Sequence, residues 1–329
     1  MPLPFVFITC CSIASVVRKD RTQLAVALGI SPDLHTAMWT AWDEPFHAPL
    51  GHKCYWHYIK HLNASMCLMR DDRVSRELRA AGNEASVASW HCNTLVTLWH
   101  QQLHRGNVFL DVGGNIGHCT LTMLMQTNAL VVVVEPSPAN RYYLTSTLSN
   151  VVRKWPDMRE RVILLPFAAG NMTLQTTLYA AYQNAGNSVV GTRSPLVKDH
   201  AGQQMDEQYE VETRTLDDMM KAAHKKTRLL KLDVQGYECR ALQGMTALIK
   251  SVHTVKVEAA DRWLQGCGCS SKELLTILSD LDFVVNTQAP PACIFQRYGC
   301  DVIVHRRESQ TKCSWRKVAD AFECVPSRY

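Results

Sequence analysis

Short apolar runs that end on an acid or on small residues organise the middle of the chain. Val108-Phe109-Leu110-Asp111-Val112 and Leu130-Val131-Val132-Val133-Val134 are too continuous for half-exposed strands, so they predict buried parallel strands. Val162 to Pro166, Leu229 to Asp233 and Val255 to Glu258 extend the series. Thr120 to Gln126, Pro138 to Asn150 and the stretch through Leu242 read as helices, with Tyr142, Tyr143 and Leu144 inward on the second. Strands alternating with helices predict an α/β fold around a mostly parallel sheet. Upstream, Tyr55, Trp56, Ile59, Leu62 and Met66 fall at near-helical spacing, as do Leu95, Leu98 and Leu103. Both sets predict helices that cap the sheet. Trp39, Trp42, Tyr55 and Trp56 are expected in the core, with a substrate entrance as the alternative.

Candidate chemistry gathers where these strands end. After Asp111 the chain reads Val112-Gly113-Gly114-Asn115-Ile116-Gly117, a glycine-spaced turn that opens a helix. A dinucleotide loop wants G-x-G-x-x-G, whereas this one is D-x-G-x-N-x-G. An acid two residues before the first glycine suits a cationic amino group better than a phosphate, and S-adenosylmethionine offers one. Glu135-Pro136, at the tip of the second strand, sits where nucleoside-binding sheets grip a ribose diol. Ala168-Ala169 leave room for a flat adenine ring. Leu230-Lys231-Leu232-Asp233-Val234-Gln235-Gly236-Tyr237-Glu238 repeats the strand, acid and glycine order, and Val257-Glu258 supplies a fourth acid-tipped strand. Period-two alternation puts Lys231 and Asp233 on one face, as a ligand-facing pair or as a structural ion pair.

The ordered set Asp111 to Gly117, Val134 to Pro138, Thr215-Leu216-Asp217, Leu230 to Glu238 and Val257-Glu258 resembles the FkbM family of S-adenosylmethionine-dependent methyltransferases, over about Asp71 to Val304. The resemblance implies a Rossmann-like class I methyltransferase sheet, mostly parallel with an antiparallel last strand, and O-methylation of a small hydroxylated molecule or sugar. Asp111, Gly113, Gly114, Asn115 and Gly117 are then expected on the methionine part of the cofactor, Glu135 and Pro136 at the ribose, and Ala168 and Ala169 at the adenine edge. Asp233, Glu258, Lys231 and Glu238 are the candidates for acceptor binding or general base, with Mg2+ between two acids as a variant. Asn184 to Ser188 resembles a loop of the family, while Gly114 and His118-Cys119 depart from its usual pattern. An N-methyltransferase of nucleic acid or amide nitrogen is the alternative within enzymes, although Asp233-Val234-Gln235-Gly236 stands where such enzymes carry Asn/Asp-Pro-Pro-Tyr. A binding module that has lost catalysis is the alternative outside them.

Composition narrows partners and compartment. The net charge of +5 is spread among acids, so no dedicated nucleic-acid stripe is expected, and Lys221 to Lys231 and Arg306 to Lys317 read as solvated faces. The 329 residues divide into an N-terminal hydrophobic segment and cap (1–90), a methyltransferase domain (91–306) and a cysteine-containing tail (307–329). Thr192 to Gln208 is long and Gly/Gln-rich, the expected substrate lid. The apolar run Leu3 to Val17 falls short of the roughly 20 residues that span a bilayer and has no preceding positive charge, so it reads as a signal, a weak membrane anchor or part of the fold. Thirteen cysteines and the sequons at Asn63 and Asn171 point toward the secretory pathway, against a cytoplasmic alternative. In an oxidising lumen Cys313 and Cys324 are expected to pair, with Cys119 and Cys239 reduced beside the cofactor site. Cys267-Gly268-Cys269 lacks zinc spacing, and His47/His52 and His57/His61 read as solvated histidines rather than ligands.

Overall fold

The computed structural model describes residues 21–80, 92–101, 108–181, 184–191, 205, 207–221, 227–288, 290–295, 299–307, 313–318 and 321–326. The N-terminal apolar run, Trp90, Leu103, Cys10, Cys11 and most of the expected lid lie outside those residues. The strands are β1 (Trp39–Thr40), β2 (Tyr55–Ile59), β3 (Ala64–Leu68), β4 (Val108–Val112), β5 (Leu130–Val134), β6 (Val162–Leu165), β7 (Ala168–Ala169) and β8 (Leu174–Ala181). They continue with β9 (Asn184–Val190), β10 (Glu207–Arg214), β11 (Thr227–Leu232), β12 (Thr254–Ala259), β13 (Cys300–His305), β14 (Cys313–Val318) and β15 (Ala321–Pro326).

The main sheet runs β1-β6-β5-β4-β11-β12-β13-β15-β14. Its centre, β6-β5-β4-β11-β12, is parallel as the apolar runs predict. β13 is antiparallel to β12, but it is not the last strand: β15 joins it in parallel and β14 closes the edge, so residues of the expected tail complete the sheet. Alternation sorts the strand residues onto two faces. Val132, Val134, Leu230 and Leu232 pack into one fully apolar layer, and Phe109, Val131, Val133 and Leu229 into the other. The chain winds outward from β4 through β5 to β6, then returns to place β11 on the other side of β4. That reversal leaves a crevice at the carboxyl ends of β4 and β11, where open α/β sheets bind ligands.

The cap differs from expectation. Residues 21–28, Arg73–Ala80 and Asn93–Gln101 are helical, and Leu95 and Leu98 are buried as predicted. Tyr55 to Met66, however, is a hairpin: β2 pairs antiparallel with β3 around Asn63, whose φ of 50° is left-handed. Aromatic and branched residues favour a pleated ribbon, and Asn tolerates the left-handed corner, so tertiary pairing overrides the 3.6-residue spacing. Trp39 is core as expected, whereas Tyr55 and Trp56 stand exposed. His57 and His61 do not share a helix face, and among the described residues no three His, Cys, Asp or Glu side chains could hold a metal ion. No helix among the described residues is long and apolar enough to cross a membrane.

Disulfides join Cys54–Cys67, Cys92–Cys119, Cys239–Cys269, Cys293–Cys300 and Cys313–Cys324. The last pairing is the expected one. Cys119 and Cys239, expected to stay reduced, are bridged because Cys92 of the cap and Cys269 of a neighbouring loop approach them, which sequence separation conceals. Cys267 is the unpaired cysteine among the described residues.

Helix Pro138–Lys154 braces the crevice. Ser137 caps it by accepting from the Asn140 N–H, with Pro138 at the first position. Its fully buried Leu144 rests against Gly114 and Gly117. Leu144→Ala should destabilise the protein by about 2–5 kcal/mol in urea unfolding, whereas Val26→Ala, at a 64% exposed position, should stay within about 0.5 kcal/mol. Equal effects would remove Leu144 from the core.

Candidate active site

The loop after β4 owes its shape to glycine. Gly113 has φ 84°, and a Cβ there would fall 1.7 Å from the Asp233 carbonyl oxygen. A Cβ on Gly114 would fall 2.3 Å from Val133 Cγ1. The loop is therefore pressed between the ends of β5 and β11, with the Gly113 N–H donating to Val134 O at 2.9 Å.

Beneath the loop lies a buried charge cluster. In register, Lys231 sits beside Asp111. The Lys231 ammonium donates to the Gly113 carbonyl at 2.9 Å and lies 3.3 Å from Asp111 Oδ1 and 3.4 Å from Asp233 Oδ2. Thr120 Oγ1 donates to Asp111 Oδ2 at 2.7 Å. Burial works against the Lys231 charge, but Asp233, Asp111 and Asp301 outweigh it and hold its pKa above the usual lysine range. Two expectations are corrected here. Asp111 is fully buried and lines neither cavity of the site, so it has no open face for a cofactor amino group. The raised pKa of Lys231 favours its charged form, which has no lone pair to take a proton.

Glu135 is 4% exposed. It accepts from the backbone N–H groups of Asn115 (2.7 Å) and Ser137 (2.9 Å) and from Asn140 Nδ2 (3.3 Å). Burial pushes its pKa up to about 7 in spite of these donors. Together with Pro136, Ala168, Ala169, Ser188 and Tyr237 it lines a cavity of about 550 Å³. Gly113, Asn115, Asp233 and Gln235 line this cavity and also a wider cleft of about 1340 Å³, whose walls include Arg73, His118, Asn184, Glu258, Trp263 and Asp301. Gly114 faces only the wider cleft. Gly117 lines neither and serves the turn, with φ 89° against Leu144.

Asp233 and Glu258 are brought together by a residue that sequence reading overlooked. Gln235 Nε2 donates to Asp233 Oδ1 at 2.8 Å and to Glu258 Oε2 at 2.7 Å, so one amide spends both hydrogens pinning two carboxylates. Its φ of 54° is left-handed, unusual outside Gly, Asn and Asp, and leads into Gly236 at φ 100°. Nothing in the sequence marks a glutamine for that conformation; the following glycine is the only signal. Burial first, then Asp233, Glu238 and Asp301, raises the Glu258 pKa well above its ordinary value, while Lys231 opposes the rise. Asp301 is itself paired with the buried Lys256.

Glu238, expected to meet the acceptor, is 1% exposed and lines neither cavity. It accepts the Val234 N–H at 2.9 Å and ties the turn that carries Asp233. Burial, reinforced by Asp233 against several backbone donors, pushes its pKa up to about 8. Asn184 to Ser188 is strand β9 rather than a loop, because Tyr179 and Ala181 of β8 pair with it. Through it the four-stranded sheet β7-β10-β8-β9 walls both cavities.

Residues 111–285, more than half of the chain, match the Methyltransferase FkbM domain. The chain is 26% identical over 186 residues to the hexuronic acid methyltransferase AglP of Haloferax volcanii, covering 56% of this chain and 67% of that protein. Among solved structures it overlaps a methyltransferase FkbM from Methylobacillus flagellatus with a TM-score of 0.37 and 18% identity, over 72% of this chain and 56% of that one. It also overlaps a coclaurine N-methyltransferase bound to N-methylheliamine and SAH, with a TM-score of 0.28 and 11% identity, over 76% and 58%. The chain thus spans little more than half of either solved protein.

Gly113 and Gly51 separate conformational from steric demand. Both have positive φ, but nothing lies within 4 Å of a Cβ at Gly51. Gly51→Ala should cost about 1–2 kcal/mol, the left-handed penalty alone, and Gly113→Ala distinctly more in thermal unfolding. Equal losses would show that the loop is not pressed against β11.

Proposed function

Because the chain belongs to the FkbM methyltransferase family, we propose that it is an S-adenosylmethionine-dependent O-methyltransferase acting on a hydroxyl of a sugar or similar small molecule. The observation that carries this reading is the Asp233–Gln235–Glu258 bridge, which presents two carboxylates to the wider cleft beside the glycine loop. When bound, the cofactor supplies a methyl group already activated on a sulfonium. The apolar Ala168–Ala169 wall and the buried Glu135 of the smaller cavity suit an adenosine. Glu135 would accept the ribose hydroxyls, and the Gly113 to Asn115 backbone would pass beneath the methionine part. Asp111 and Glu238 act behind these groups, and Lys231, which also lines the wider cleft, ties the glycine loop to the end of β11.

Asp233 and Glu258 orient the acceptor hydroxyl, and Glu258, whose pKa is raised, takes its proton. A divalent ion does not fit this donor set: the Gln235 amide occupies the space between the carboxylates, and Asp301 is held by Lys256. A sugar acceptor is supported by the relative that is named a hexuronic acid methyltransferase. A hexuronic acid carries a carboxylate as well as hydroxyls, and a carboxylate acceptor needs no base. Five disulfides support a lumenal or secreted location.

Glu258→Gln and Asp233→Asn should each lower kcat by about 10²-fold or more, and Glu258→Gln, in the wider cleft alone, should leave cofactor affinity nearly unchanged. In the parent enzyme kcat should fall as the pH drops through the raised Glu258 pKa, since the base must be ionised. Parent-like turnover in both variants would sink the hydroxyl reading and favour a carboxylate acceptor. Glu135 gives a second test. Its ionised form is the better ribose acceptor, so calorimetric affinity for S-adenosylmethionine should weaken as the pH falls below about 7, by up to about 10-fold per unit. Glu135→Gln should bind more weakly and lose that slope; a slope that survives would remove Glu135 from the cofactor.

A further inference from the structure

The hairpin β2–β3 carries a groove that methyl transfer does not use. It lies against the end of helix Pro138–Lys154, has a volume of about 580 Å³, and is walled by Tyr58, Asn63, Ser65, Arg153, Lys154 and Trp155. Tyr58 is 53% exposed although its ring is large, and Lys154 Nζ sits 4.3 Å from the Trp155 ring centroid. Tyr58 and the partly exposed Trp155 thus leave aromatic ring surface accessible in a groove walled by polar groups.

Asn63-Ala64-Ser65, at the rim, is an N-glycosylation sequon with no proline at its centre. Asn63 is exposed at the hairpin corner. Tyr58 Oη donates to its Oδ1 at 2.7 Å and Lys154 Nζ at 3.3 Å. Both bonds use the carbonyl oxygen, which a glycosylated asparagine keeps; Nδ2, the atom that would be modified, is left to solvent among the described residues. We propose that Asn63 carries an N-linked glycan whose first N-acetylhexosamine residues seat in the Tyr58–Trp155 groove. In the transfer, Asn63 Nδ2 forms a bond to the anomeric carbon of a lipid-diphosphate-linked oligosaccharide. The anomeric C–O bond breaks, the lipid diphosphate leaves with the electron pair, and the amide gives up one proton. The sugar ring's apolar face covers the aromatics, and the Lys154 ammonium, with three donors, can meet an N-acetyl carbonyl.

The second sequon, Asn171-Met172-Thr173, supplies the comparison. It is also exposed, but there Nδ2, the atom that would be modified, donates to Gln243 Oε1 at 3.2 Å.

Peptide mapping of the full chain purified from its source, after enzymatic glycan release in heavy-oxygen water, should show heavy-oxygen aspartate at the Asn63 position. Complete glycan removal should lower the thermal midpoint by about 2–4 °C, and trimming to a single sugar by less. Asn171→Gln should preserve that difference, whereas Tyr58→Ala in the glycosylated protein should abolish it. An unmodified Asn63 in this material, or a midpoint indifferent to glycan removal, would overturn the proposal. Methyl transfer enters neither readout, so failure here leaves the proposed activity standing, and failure of that activity leaves the glycan standing.

Discussion

One buried ammonium holds the site together. Lys231 reaches across from β11 to the carbonyl of Gly113 and lies between Asp111 and Asp233. Without a positive charge there, the sealed Asp111 carboxylate would stand unpaired beside the half-buried Asp233, which is far costlier than a paired cluster. With it, the glycine loop, the end of β4 and the end of β11 become one rigid unit. The loop then positions Asn115, whose N–H reaches Glu135, and the β11 turn positions Gln235, whose amide reaches Glu258. Four acid-bearing strands are thereby linked through a short chain of charge-assisted contacts.

The same cluster divides the acids into two classes. Asp111 and Glu238 are sealed and act on backbone: one steadies the lysine, the other ties the turn after β11. Glu135, Asp233 and Glu258 border the cavities. Burial lifts Glu135 to about 7, where a carboxyl can exchange protons near neutrality, and raises Glu258 well above its ordinary value. An acid's place at a strand end therefore does not decide its role; whether it opens on a cavity does.

This distinction explains what was legible in the sequence. Fully apolar runs such as Leu130 to Val134 can be stable only as central strands, and glycines such as Gly113 mark turns that no other residue tolerates, so the parallel sheet and its loop were readable. Glu135 beside Ala168–Ala169 was readable for the same reason, because strand order fixes which tips meet. The burial of Asp111 was not, since it depends on Lys231 arriving from 120 positions downstream. Gln235 was missed because its left-handed backbone goes against its own preference and is imposed by the turn. The β2–β3 hairpin was misread because its apolar positions also satisfy a helical period, and the pairing that decides between them is tertiary. Cysteine partners such as Cys92–Cys119 were hidden by the same non-local logic.

The central claim is that the carboxylate-lined cleft delivers a hydroxyl to an activated methyl group. Carbon-13 nuclear magnetic resonance of the product formed from methyl-labelled S-adenosylmethionine and a panel of oligosaccharides tests it most directly. The account predicts a labelled methyl ether, correlated through its oxygen to a single sugar ring carbon. Label on nitrogen, or none transferred to any acceptor while the cofactor binds, would contradict it.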